Sequence, residues 1–496
     1  MIATDKWITY MWILLVCYAI AILFFVIRGA LKTTSISDYA VGSIGFAPWV
    51  VGLSLAASMT SAATFIINPG FIALYGVSGF ISFGVVFPIA AFVSLIILTK
   101  GFARYGSKVK ATTMAQWIGN RYKSKSYAFF FGVIALLLIT FIVLISVGIT
   151  QVIAKSLNAD PFYVLLGITV FVFGYMMFGG ANSMVYTNTI QALIMFVVAL
   201  ILIGSGGAYF EHGISGFFEQ LNAIDPYLTQ PTNETSFLFR DYFEIIIAQI
   251  VIGIAVVCQP HIITKSLLLK DSGKINRYLL SGIVFMIVFF LVVVVGLYAR
   301  IRFPDLTVNG VPLKMDEIVS TYVVTKFSVA VGMVIVVGLI SAGLSTLESL
   351  IQSLSITVTS DILKPIFKNK INSNTTLVNK IVIVVLGLVS FILSWQQIKN
   401  PDVSVAIFAQ NGVYAYFAAA FVPVLFGTFL KEVPVSVVFL ASVTAIVAHF
   451  GIYYGRITPY MQEEVNNPGV SAAIAIVLSF VTGYILYRFR TKMQHT

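Results

Sequence analysis

Stretches of roughly 20 apolar residues, the length a helix needs to cross the ~30 Å hydrocarbon core of a bilayer, recur about thirteen times along this 496-residue chain. Hydrocarbon offers no partner to a backbone N–H or C=O, so such stretches must satisfy their hydrogen bonds internally, as helices. The expected spans are 7–28, 48–74, 79–100, 127–154, 161–180, 184–209, 242–262, 278–300, 327–357, 378–398, 403–428, 434–455 and 469–487. With 59% of residues hydrophobic and 10% charged, the expected fold is an all-α polytopic membrane protein.

The formal net charge of +11 would suit a nucleic-acid partner if the cations were gathered into one patch, but they alternate with the spans. The loop 100–125 carries Lys100, Arg104, Lys108, Lys110, Arg121, Lys123 and Lys125, while the loop 210–241 is acidic. Basic loops stay cytoplasmic. That places the N terminus outside and the C terminus, with Arg488, Arg490 and Lys492, inside, and a lipid bilayer rather than nucleic acid is the expected surrounding. Cys17 and Cys258 both fall in apolar spans, which supports neither a disulfide framework nor a thiolate metal site. The first span is too long for a cleaved signal and is read as a retained helix; the loop 210–241 is too short to build a core of its own.

One span is not plainly apolar. In S-A-G-L-S-T-L-E-S-L-I-Q-S-L-S-I-T-V-T-S-D (341–361), Ser341, Ser345, Ser349 and Ser353 follow one wall of a helix, with Glu348 and Gln352 between them, at about 100° per residue. Leu344, Leu347, Leu350, Ile351 and Leu354 fill the opposite arc. A carboxylate inside a membrane helix is costly unless it meets a cavity or a partner, so this wall is expected to line a permeation path. Two further spans are interrupted. G-L-S-L-A-A-S-M-T-S-A-A-T-F-I-I-N-P-G (52–70) carries hydroxyls and closes on Pro69-Gly70, and I-A-Q-I-V-I-G-I-A-V-V-C-Q-P-H-I-I-T-K-S (247–266) carries Pro260. Interrupted spans at corresponding positions of two halves point to an inverted-repeat transporter.

These segments together resemble the sodium:solute symporter family, whose members include bacterial proline, pantothenate, acetate and galactose carriers and animal sodium-glucose transporters. A-G-L-S-T-L and D-I-L-K (342–364) are similar to the family's ninth helix. F-G-G-A-N-S-M-V-Y-T-N-T-I-Q (178–191) is similar to the signature that opens its sixth, and Q-P-H-I-I-T-K-S-L-L-L-K-D (259–271) resembles the Pro-His loop of its acetate and pantothenate branches. The resemblance implies a leucine-transporter-type fold. An extra N-terminal segment (1–47) precedes one five-helix repeat (48–209), a loop (210–241), the inverted second repeat (242–428) and two C-terminal helices (429–496).

It also implies sodium as the coupling ion and no other cofactor. The sodium ligands would be the carbonyls of Ala57, Thr60 and Ala342 and the hydroxyls of Ser345 and Thr346. Neutral oxygens hold a hard monovalent ion without trapping it, and the two adjacent hydroxyls can converge on one ion. Alternatively, those hydroxyls bond back to the preceding turn. The solute would sit beside this site, lined by Ser58, Ser61, Thr64, Asn68, Gln249, Gln259 and Gln410, with Asn411 also a candidate. All are neutral, and no buried Arg or Lys is expected there. The third helix adds only Ser78 and Ser82 among Phe80, Phe83 and Phe87, which suits a small, partly apolar organic acid or amino acid better than a sugar.

The sequence departs from the family signature at Asn188, where an aspartate is usual beside the sodium exit. Glu348 is expected to supply the missing charge there, with Ser349 alongside, or to carry a proton; alternatively it is held neutral or paired with a Lys or Arg from the inner loops. His261 is expected to anchor a helix end; His212, His449 and His495 show no partner spacing. Function therefore reads as sodium-coupled symport by alternating access, working as a monomer in the inner membrane. A proton-coupled carrier using Glu348 is the alternative within this fold, and a solute sensor the alternative in another class. No phosphate-binding G-x-x-x-x-G-K-S/T loop and no H-E-x-x-H is present, so neither an ATP-driven pump nor a metallohydrolase is expected.

Overall fold

A computed structural model describes residues 5–269, 271–367, 374–400, 404–462 and 465–494. Residues 1–4 and 495–496, the ends of the first and last expected segments, and with them His495, lie outside the described residues. Ten helices among the described residues are long and apolar enough to cross a membrane, and two bent pairs raise the number to twelve. The remaining expected stretch, 161–180, forms the helix Pro161–Met176 of 16 residues. At 1.5 Å per residue it spans about 24 Å, short of a full crossing unless the bilayer thins around it.

The polarity of the molecule is inverted relative to a water-soluble domain. Trp12, Ile20, Val170, Leu388 and Ile392 are exposed on the outside, whereas Ser341, Ser345, Thr346, Glu348 and Ser349 are buried. Lipid stands in for water on the outer surface, and the polar side chains must find partners within the bundle.

The two bent pairs shape its centre. The helix Pro48–Met59 stops at Thr60, whose φ of −104° and ψ of 95° leave the helical region. The chain resumes at a π turn, Ala63–Ile67, followed by Asn68–Tyr75, at 55° to the first half. Ser61 Oγ accepts from the Ala63 N–H at 3.1 Å, capping one of the donors that a restarted helix leaves free. The break therefore precedes Pro69, which sits at the start of Asn68–Tyr75. In the second pair, Phe243–Val256 and Pro260–Leu268 meet at 57°. Gln259 is extended (ψ 137°) and Pro260 opens the new helix, where its missing N–H costs nothing.

Helix Pro48–Met59 packs against Gly180–Gly204, Ile275–Leu291 and Val329–Thr357. Gly52 allows the closest of these approaches, because a Cβ there would stand 2.5 Å from the Tyr278 carbonyl oxygen. The polar wall at 341–361 belongs to Val329–Thr357, both faces of which are buried from Ile335 onward. It is thus packed against protein along its length.

Candidate functional site

The unwound turn at Thr60 lies against the polar wall. Ser345 Oγ donates to the Ala57 carbonyl at 2.8 Å and approaches the Ala342 carbonyl at 3.1 Å. Thr346 Oγ1 lies 3.2 Å from the Ser58 carbonyl, 3.4 Å from that of Ala342 and 3.5 Å from that of Ala57. The hydroxyls thus bond back to Ala342 and also reach across to carbonyls of the broken helix. Ala57, Thr60, Ala342, Ser345 and Thr346 are all fully buried. Neutral carbonyl and hydroxyl oxygens from a helix break and an unbroken helix form a donor set suited to a small hard cation.

Beside this turn, a cavity of about 110 Å³ lies between the two broken helices, smaller than the few hundred Å³ of a typical drug-sized site and suited to a compact occupant. Ser61, Thr64, Asn68, Gln249, Gln259 and Gln410 line it, together with His261 and the aromatic rings of Phe83, Phe87, Phe141, Phe290 and Tyr414. Three buried polar atoms on this wall, Gln249 Oε1, Gln259 Oε1 and His261 Nδ1, have no hydrogen-bond partner in the protein. Unpaired buried polar atoms are costly, and atoms facing a cavity recover that cost when something fills it. Gln259 Nε2 donates to the Val256 carbonyl at 3.2 Å, which aims its orphaned oxygen away from the backbone.

Two expected liners are elsewhere. Ser58 turns toward the polar wall, contacting the Ser54 carbonyl at 2.7 Å and Ser349 Oγ at 2.8 Å. Asn411 belongs to a separate cluster with His449 and Tyr454, so His449 does have partners, including Ser471.

A family model for sodium:solute symporters matches residues 39–458. The chain belongs to the sodium:solute symporter family. Its relatives include sodium/pantothenate symporters of Haemophilus influenzae, 26% identical over 78% of each chain, and of Escherichia coli, 24% identical over 91% of this chain and 90% of that one. The high-affinity proline transporter PutP of Bacillus subtilis is 24% identical over 79% of this chain and 81% of its own. In fold, the chain resembles a sodium-coupled sialic acid symporter in a substrate-bound, outward-open state (TM-score 0.76, 18% identity, 96% and 98% of the two chains). It also resembles the nucleobase-cation symporter Mhp1 in a closed conformation (TM-score 0.53, 12% identity, 92% and 94%).

Within this family member, the segment around Asn188 and Glu348 departs from what the sequence suggests. Glu348 does not face water. It is fully buried and receives Tyr175 Oη at 2.6 Å, Thr187 Oγ1 at 2.5 Å and Gln191 Nε2 at 3.2 Å. Asn188 is its neighbour: the amide NH₂ donates to Glu348 Oε2 at 3.2 Å and Gln191 Oε1 at 3.1 Å. The amide oxygen accepts from Lys265 Nζ at 3.0 Å and from the Ser58 and Ser349 hydroxyls at 3.0 and 3.2 Å. Farther along the wall, Gln352 Nε2 donates to the Tyr39 and Ala40 carbonyls at 3.1 and 2.6 Å.

Lys265 is a buried cation next to this cluster, outside the lining of the cavity. It is the only buried lysine or arginine among the described residues, and its Nζ also donates to Ser54 Oγ at 2.8 Å. Ending the seventh span at 262 assigns Lys265 to a loop; the helix restart at Pro260 returns 260–268 to the bundle. The available signal was proline at the first position of a new helix.

Proposed function

We propose that the protein carries a small organic solute together with sodium, by exposing one central site alternately to the two sides of a bacterial inner membrane. The observation that carries this reading is the meeting of two broken helices around a cavity whose wall adjoins the Ala57–Ser345–Thr346 oxygen cluster. Unwound backbone is tolerated at membrane depth where it lines such a site. The breaks fall near the starts of 48–209 and 242–428, and rocking one repeat against the other would open the site to each face in turn. The N terminus lies outside, the C terminus inside, and one chain suffices.

The solute reading follows from the cavity wall. It carries two orphaned amide oxygens, a histidine, several aromatic rings and no lysine, arginine or carboxylate. Such a wall suits a compact solute with an apolar body and at least two N–H or O–H donors, as in a hydroxylated or amide-bearing organic acid or an amino acid. Solutes of that kind are named for its pantothenate- and proline-carrying relatives.

The test is uptake into proteoliposomes of a panel of such solutes, with sodium and proton gradients imposed separately. Sodium-driven accumulation is expected. Accumulation driven by protons alone, indifferent to sodium at every pH tried, would overturn the coupling; no accumulation of a solute that nonetheless binds would favour a sensor. For a transported solute, Gln259→Leu is expected to weaken uptake roughly tenfold to a hundredfold, the cost of one strong hydrogen bond in a buried site. Sodium binding should stay intact. Unchanged solute affinity in that variant would remove Gln259 from the solute site.

A further inference from the structure

The cluster around Lys265 is not used by the sodium site as described. Ser54, Ser58 and Ser349 hydroxyls, the Asn188 amide oxygen and the Glu348 carboxylate converge from three helices on one buried region. The Lys265 ammonium sits within it, 2.8 Å from Ser54 Oγ and 3.0 Å from Asn188 Oδ1. An ammonium and a sodium ion make similar demands: one positive charge and a shell of oxygen acceptors. An ionised Glu348 carboxylate buried here would call for a positive charge nearby, and Asn188 links it to the Lys265 ammonium through a single amide.

The cluster is distinct from the Ser345–Thr346 oxygens yet contiguous with them. Ser349 Oγ lies 2.8 Å from the Ser345 carbonyl oxygen, and Ser58 follows Ala57 in the chain. The two positions are therefore about one helical turn apart along the same wall.

We propose that the Lys265 ammonium permanently fills a second cation position, formed by Ser54, Ser58, Asn188, Ser349 and Glu348, so that the chain binds a single sodium ion where these oxygens would otherwise hold two. This rests on the sodium-coupled reading above. It accounts for a carboxylate and a lysine buried together inside an otherwise apolar membrane bundle. Replacing a mobile ion by a tethered one lowers the charge moved per solute while keeping Glu348 balanced.

The test needs no solute. Radioactive sodium binding to the purified full chain should saturate at one ion per protein. Lys265→Ala, which removes the tethered charge and opens space, should gain a second ion. Lys265→Ala with Glu348→Gln should return to one, because the carboxylate that calls for the extra charge is gone. If Lys265→Ala fails to fold, Lys265→Gln removes the charge with a polar side chain of similar length and should show the same gain. A folded Lys265→Ala or Lys265→Gln protein that binds no more sodium than the parent overturns the proposal. A parent protein that binds none overturns the sodium-coupled reading instead, and a gain of one ion in the variant would still support the second position.

Discussion

Replacing Ser345 and Thr346 together by alanine should raise the sodium concentration needed for half-maximal uptake about a hundredfold, and each single replacement about tenfold. A hydrogen-bonding group that contacts a charge is worth about 1.5–3 kcal/mol, and 1.4 kcal/mol is a factor of ten. Two such groups lost from one site give the double figure at the low end of that range. The structure supplies the reason both count: each hydroxyl reaches the carbonyl row of the broken helix, Ser345 at 2.8 Å from Ala57 and Thr346 at 3.2 Å from Ser58. Thr346→Ser keeps the hydroxyl and should retain most of the affinity. Sodium-stimulated uptake measured against sodium concentration reads all four variants. A folded double variant with parental sodium affinity would mean that these hydroxyls only fasten one helix to another.

The polar wall and its partner spans are legible in the sequence because both are exceptions to a strong rule. In a chain so apolar, Ser345, Thr346 and Glu348 on one helix and the hydroxyls at 52–64 cannot be surface decoration. Where reading fails, it fails at the breaks. A fixed angle per residue places Ser58 and Ser61 on neighbouring faces, but the helix unwinds at Thr60. Ser61 therefore reaches the cavity while Ser58 stays with Asn188 and Ser349. Proline marks the breaks unevenly. Pro260 stands directly at one, whereas Pro69 lies some residues beyond the other, since proline fits the first turn of a helix as well as its end. The partners of Glu348 are hidden for another reason. Tyr175 and Thr187 are more than 150 positions away in the chain, and nothing local to either announces the contact.

Gly180→Val should be the most damaging single replacement in the helix that carries Asn188. Gly180 has φ +66°, which a β-branched residue adopts only at a cost of about 1–3 kcal/mol. A Cβ there would also lie 2.6 Å from Tyr39 Cδ2 and 2.9 Å from Tyr39 Cα. Backbone cannot swing aside as a flexible side chain can, so overpacking adds about 1–3 kcal/mol more. The apparent melting temperature of the detergent-purified protein should fall by several degrees. Gly204→Ala, on the same helix with open space around the added methyl, should leave it unchanged. The strain would not stay local. Directly after Gly180, Asn182 Oδ1 accepts from the Ser43 and Ile44 N–H groups at 3.0 and 3.1 Å, and Ser183 Oγ donates to the Val26 carbonyl at 2.9 Å. These contacts fix the start of the helix that presents Thr187, Asn188 and Gln191 to Glu348 two turns later. Sodium affinity in surviving Gly180→Val protein should therefore weaken as well, although no ligand has changed. A variant as stable as Gly204→Ala, with parental sodium affinity, would show that the close approach to Tyr39 sets neither the stability of this helix nor the alignment of the buried charges.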